Sequence, residues 1–128
     1  MKSKEEVKKS NPELYRVAME GETEPPFTGK FYASKEKGMY VCAVCGNELF
    51  SSDTKFDSGT GWPSFSKPKS EDGIEYVEDN IYGMKRTEVK CKKCGAHLGH
   101  VFDDGPRENG GKRYCINSVC LDLEKKET

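Results

Sequence analysis

Four of the six cysteines stand in two Cys-x-x-Cys-Gly units, Cys42-Ala-Val-Cys45-Gly46 and Cys91-Lys-Lys-Cys94-Gly95. Thiolates three positions apart can grip one tetrahedral ion, and the glycine that follows lets the backbone turn beneath the sulfurs. Two such units make a four-cysteine zinc site with no open position. Its role is therefore structural, and its binding energy, on the order of 10 kcal/mol, becomes folding energy. The intervening stretch, residues 46–90, is longer than in a compact zinc ribbon, so the ion pins distant parts of one domain together. Other uses of the pairs fit less well. A redox Cys-x-x-Cys wants a strand-to-helix context, two disulfides do not suit a reducing cell, and haem attachment needs a histidine directly after the pair. Because His97 follows Cys94 by three residues, a mixed site of three cysteines and one histidine stays open.

Cys115 and Cys120 belong to neither unit. If 112–121 is one strand, Arg113, Cys115 and Asn117 share a face, while Tyr114, Ile116, Ser118 and Cys120 share the other. A guanidinium stabilises a neighbouring thiolate and lowers its pKa, as a nucleophile requires, whereas a thiol among apolar side chains is inert core. Cys115 is thus a candidate nucleophile, with a second buried cysteine as the alternative. Cys120 reads as core.

The elements that must position these groups are mostly strands. Residues 1–10 carry a capping-box pair, Ser3 and Glu6, but are so charged that they read as flexible or frayed. A short helix follows over 11–20: Asn11 caps, Pro12 takes the first position, Leu14, Tyr15, Ala18 and Met19 share a face, and Gly21 ends it. From there Gly, Pro, Asn and Asp punctuate short aromatic and β-branched runs, which predicts a β body over 27–123. Candidate strands cover 39–41, 74–77, 81–89, 97–102 and 112–121, with turns at DDGP and ENGG and a hairpin closed by EDN.

A chain of 128 residues suits a single domain, 1–128. Its Lys+Arg 21 nearly cancels Asp+Glu 22, so no large net field marks nucleic acid or an anionic membrane as partner. The N-terminal MKSKEEVKKSNPEL has no apolar run for a signal peptide or membrane span, which gives the expectation of a soluble, cytoplasmic protein.

RYCIN, HLGHVFDDGP, SGTGWPSF, TEPPFTGKFY and the two cysteine units, running in order from about Asn11 to about Cys120, together resemble the B-type methionine-R-sulfoxide reductases. That resemblance implies coiled antiparallel β-sheets preceded by short helices, stapled by the zinc site. It also implies a single enzymatic activity, the reduction of methionine-R-sulfoxide, free or in oxidised proteins, as a repair of oxidative damage. Cys115, in RYC, would be the catalytic nucleophile. His97, His100 and Asn117 would donate to the sulfoxide oxygen, Arg113 would steady the thiolate, and Asp104 would order the polar side of the pocket. Trp62 would form the wall that holds the substrate methyl group. A regular strand sends His97 and His100 to opposite faces, so two histidines at one pocket predict a bulge or kink at Gly99.

One departure matters. Many relatives carry a resolving cysteine two residues before the tryptophan; this chain has Thr60. Cys120 makes a poor substitute, being five strand residues from Cys115 and on the other face. The expectation is a monomer whose sulfenic acid is reduced by an external thiol, small or thioredoxin-like. Two rival readings are a zinc-ribbon module binding nucleic acid or protein, supported by the basic stretch 85–93, and an inactive relative that keeps only the scaffold.

Overall fold

Ser3 and Asn11 each start a helix. In the computed structural model, which describes residues 3–79 and 86–125, the Ser3 hydroxyl accepts the Glu6 N–H at 3.2 Å and α1 runs Lys4–Ser10. Asn11 Oδ1 accepts the Leu14 N–H at 3.2 Å, and α2 runs Pro12–Ala18. Within the segment 1–10, whose charge suggests fraying, the described residues 3–10 form a capped helix, and Val7, fully buried, anchors it to the core. Burying a Val or Leu side chain stabilises by about 1.5–3 kcal/mol, against about 1 kcal/mol for a cap. Packing of Val7, Leu14 and Val17 is thus what holds these two short helices.

The rest is mainly β, as two antiparallel sheets. The smaller has the order β2 (Glu48–Ser51), β1 (Gly38–Cys42), β9 (Leu121–Lys125). The larger has the order β3 (Lys55–Phe56), β4 (Ser64–Phe65), β8 (Arg113–Ile116), β7 (His97–Phe102), β6 (Arg86–Cys91), β5 (Ile74–Asp79). An aromatic seam joins the sheets. Phe50 of β2 stacks on Phe65 of β4 with centroids 4.5 Å apart, and Tyr40 of β1 meets Phe65 edge-on at 5.2 Å. Such pairs add about 0.5–1.5 kcal/mol beyond their area.

Three expectations need amendment. The run 112–121 is not one strand: β8 ends at Ile116, a 3-10 turn spans Ser118–Cys120, and β9 then joins the other sheet. Polar Asn117 and Ser118 provide the break, since both are buried and spend their side chains on other segments. Strands β2, β3, β4 and most of β9 were not expected; β3 and β4 are two residues each, too short for periodicity to mark. Of the strand expected at 81–89, the described part begins at Arg86, and the last residue of EDN lies outside the described residues. No helix among the described residues is long and apolar enough to cross a membrane.

Candidate active site and metal centre

Each Cys-x-x-Cys unit lies at the end of a strand, one in each sheet: Cys42 closes β1 and Cys91 closes β6. The two loops have the same hydrogen bonding. Gly46 N–H donates to the Cys42 carbonyl at 2.8 Å, and Gly95 N–H to the Cys91 carbonyl at 2.7 Å. Both glycines need the left-handed backbone, with φ of 80° and 78°. The loops bring Cys42 Sγ to 3.7 Å from Cys94 Sγ and Cys45 Sγ to 3.6 Å from Cys91 Sγ, with all four sulfurs within 4.8 Å of one another. Metal–sulfur bonds of about 2.3 Å at the tetrahedral angle place sulfurs about 3.8 Å apart, so the group can hold one ion; a disulfide needs about 2.05 Å. His97 is not part of the group, and the mixed site is set aside.

Cys115 sits on β8 opposite Ser64 of β4 and His100 of β7. It lines a cavity of about 220 Å³ together with Thr60, Trp62, His100, Phe102, Arg113 and Asn117, and with Thr23, Arg86 and Gly99. Backbones crowd here: a Cβ on Gly99 would lie 2.0 Å from the Cys115 carbonyl oxygen, so only glycine allows β7 so close to β8. The break in β7 falls one residue before Gly99. Val89 faces Gly99 while Lys90 faces His97, which leaves Leu98 as the bulged residue. The bulge brings both histidine rings together, 5.5 Å between centroids. Asn117 fixes the bulge by donating its backbone N–H and its Nδ2 to the Leu98 carbonyl, each at 2.9 Å.

The two histidines occupy different positions. His100 lines the Cys115 cavity, with Nε2 2.9 Å from Asp79 Oδ2. His97 lines an adjoining cleft shared with His100, its Nδ1 2.6 Å from Glu88 Oε2 and its Nε2 buried with no partner. Burial pushes the His97 pKa down, although Glu88 opposes this. Asp79 also pairs with Arg86 at 3.1 Å. Asp79, Arg86 and Glu88 were not singled out from the sequence, where they look like any solvated strand face. The alternation of Arg86 and Glu88 on one face of β6, beside the histidine strand, is the signal that could have found them.

Arg113 is held on two sides. Its Nε and Nη2 donate to Asp104 at 2.8 and 3.2 Å, and its guanidinium lies 4.4 Å from the Phe102 ring centroid. Asp104 is itself mostly exposed and lies outside the cavity, acting through Arg113; that ion pair holds its carboxyl below the usual range. The low thiol pKa expected for Cys115 is not found: burial outweighs the guanidinium, which still pulls the thiol down, and the shift is upward. Burial is the larger influence and pushes the thiol up, opposed by the Thr60 hydroxyl 3.9 Å from Sγ, by the Arg113 charge and by Ser64. A raised pKa means neutral thiol below it and thiolate only above it. Alkylation of Cys115 by iodoacetamide should therefore still climb about tenfold per pH unit at pH 8, and Arg113→Met should slow it several-fold. Mass-spectrometric rates that level off by pH 7 would contradict this. Cys120 is deeply buried, its thiol donating to the His97 carbonyl at 3.3 Å, and burial pushes it up as well. Although the 3-10 turn replaces the extended strand on which its separation from Cys115 was argued, Cys120 does not line the cavity.

Trp62 forms one wall, its indole N–H donating to the Glu24 carbonyl at 2.9 Å. Opposite charged and apolar surfaces thus meet at one thiol. Such a cavity can hold a small polar group by its donors while an apolar part rests on the ring.

The chain is matched by the SelR domain over residues 10–125. A protein of Methanosarcina mazei named peptide methionine sulfoxide reductase MsrB is 61% identical over 116 residues, covering 91% of this chain and 82% of that protein. One of Leptospira interrogans with the same name is 53% identical over 126 residues, covering 98% and 95%. A protein of Caenorhabditis elegans named probable methionine-R-sulfoxide reductase B is 59% identical over 116 residues, covering 90% and 76%.

Proposed function

This chain belongs to the SelR-domain family of peptide-methionine (R)-S-oxide reductases, and from that premise we propose that Cys115 reduces methionine-R-sulfoxide through a sulfenic acid that an external thiol removes. The observation that carries the reading is one thiol in a cavity whose other walls are an indole and several hydrogen-bond donors.

The Cys115 sulfur attacks the sulfoxide sulfur, the sulfur–oxygen bond of the substrate breaks, and the oxygen ends on Cys115 as S–OH. Two electrons pass from the cysteine sulfur to the methionine sulfur, and the thiol proton ends on the transferred oxygen. His100 and the second Nδ2 hydrogen of Asn117 donate to that oxygen as negative charge gathers on it. His97 supports them from the adjoining cleft. Arg113, steadied by Asp104, holds the thiolate, and Trp62 receives the methyl group. A thiol R–SH then condenses with Cys–SOH to give a mixed disulfide and water, and a second R–SH releases Cys115 and R–S–S–R.

Thr60, where the resemblance implies a resolving cysteine, has its hydroxyl 3.9 Å from Cys115 Sγ and cannot form a disulfide, which supports an external reductant. The four-cysteine group would hold zinc, and the ion supplies a structural clamp with no ligand position left open. The six free cysteines and the need for a thiol reductant, thioredoxin-like or small, support a reducing compartment, the cytoplasm. The binding-module reading loses ground because, within the basic stretch 85–93, Arg86 is spent on Asp79 and Glu88 faces His97; Lys85 lies outside the described residues.

Wild type with dithiothreitol should turn over the R epimer of N-acetylmethionine sulfoxide and leave the S epimer untouched. One equivalent of substrate without reductant should leave a dimedone-reactive Cys115. A Cys115–Cys120 disulfide in its place would overturn the recycling route, and equal turnover of both epimers the substrate assignment.

A further inference from the structure

Residue 24 makes three hydrogen bonds that tie its segment to two distant parts of the site. Its backbone N–H donates to Asn117 Oδ1 at 3.0 Å, its backbone carbonyl accepts the Trp62 indole N–H at 2.9 Å, and its carboxylate Oε1 accepts the Val119 N–H at 2.9 Å. The second carboxylate oxygen, Oε2, is buried with no partner. Glu24 is only 4% exposed, and a Cβ on Gly29 would come within 2.5 Å of that oxygen. Burial pushes its carboxyl up, against the pull of the Val119 and Ser118 backbone.

Placing an acid there is costly, and an apolar side chain of the same size would fill the space without that cost. What the apolar side chain lacks is an acceptor for the Val119 N–H. Val119 lies in the 3-10 turn that follows Asn117, two residues from it. The carboxylate therefore anchors residue 24 to the turn that carries Asn117, while the peptide groups on either side of its Cα reach Asn117 and Trp62. Thr23, the residue before it, lines the Cys115 cavity.

We propose that Glu24 is a positioning residue: its carboxylate anchors the 22–26 segment to the turn after Asn117, and so sets the backbone groups that hold the Trp62 indole and orient the Asn117 amide. One short segment then registers the apolar wall against the polar donor, two groups that must meet opposite ends of the same sulfoxide. The inference rests on the reductase reading for its kinetic readout alone.

Two substitutions of similar size separate the hydrogen bond from the charge. E24Q keeps an oxygen acceptor for Val119; E24M has none. The glutamine variant should stay within about threefold of wild type in kcat/KM for methionine-R-sulfoxide, and the methionine variant should fall about 30-fold, mostly through KM, as misplacement of a positioning group predicts. Trp62 is the sole tryptophan, so its emission reads the anchor directly. In E24M it should shift to longer wavelength and be quenched more strongly by acrylamide, and in E24Q it should match wild type. Equal emission and equal kcat/KM in the two variants would overturn the proposal. Loss of far-UV circular dichroism or bound zinc in either variant would also overturn it, by assigning the carboxylate to the fold. A wild type without turnover would sink the reductase reading instead, while the emission comparison would still decide the anchor.

Discussion

Cys115→Ser lowers turnover of methionine-R-sulfoxide by on the order of 10³-fold or more, with the melting temperature and metal content of wild type. The size of the effect follows from the chemistry. A serine hydroxyl at neutral pH is a far weaker nucleophile than a thiol, and it cannot carry the transferred oxygen as a sulfenic acid. Among the described residues no other thiol lines the cavity: Thr60, beside Sγ, is a hydroxyl, and Cys120 lies outside, turned toward the His97 carbonyl. The preserved fold follows from the surroundings. Cys115 is neither a metal ligand nor part of the buried apolar core, and its close neighbours Thr60 and Ser64 accept a hydroxyl in place of a thiol. Steady-state kinetics with dithiothreitol, paired with calorimetry, checks both halves. Turnover that survives the substitution would move the nucleophile to another residue.

Stripping the metal, or replacing Cys91 by alanine, unfolds the protein at 25 °C. A closed four-cysteine site contributes on the order of 10 kcal/mol, whereas a domain of this size has about 5–15 kcal/mol in all. Cys91 is fully buried at the end of β6, and it also accepts a hydrogen bond from Asn47 Nδ2 at 3.6 Å, so its loss empties a packed position as well. The clamp links the two sheets, with one unit on a strand of each, and without the ion they are joined by the shared apolar core, the aromatic seam included. The checks are one zinc per chain by elemental analysis, and loss of the near-ultraviolet circular dichroism signal after chelation, restored by zinc. An apo form that melts like the holo form would show that the seam suffices.

Spacing made the four-cysteine cluster legible before any coordinates, because two Cys-x-x-Cys-Gly units can only do a few things. Asn11 and Pro12 located the start of the second helix for the same reason, since local chemistry has local signatures; the helix ends at Ala18, two residues short of the expected 20. Alternation grouped Cys115 with Arg113 and Asn117, and the three do line one cavity, although the strand on which the grouping was argued ends at Ile116. What stayed hidden depends on distant partners. The value of Asp79 lies in His100, that of Glu88 in His97, and that of Glu24 in Val119, ninety-five positions away. No period or spacing in the chain announces such pairs. The direction of the thiol shift was hidden for a related reason: burial of Cys115 by segments distant in sequence outweighs Arg113, which favours the thiolate as expected. The two-residue strands β3 and β4 are too brief to leave a pattern, and they become strands only because β8 pairs with β4 and β4 in turn with β3.

The order of strands has a consequence for a chain as it is being made. All four clamp sulfurs have emerged by residue 94, whereas β8, which lies between β4 and β7, and β9, which completes the smaller sheet, come after residue 112. A nascent polypeptide thus carries all four clustered thiols while its larger sheet is still in two pieces. Cys115 arrives only with the strand that joins those pieces, so its cavity takes shape at the moment the architecture closes.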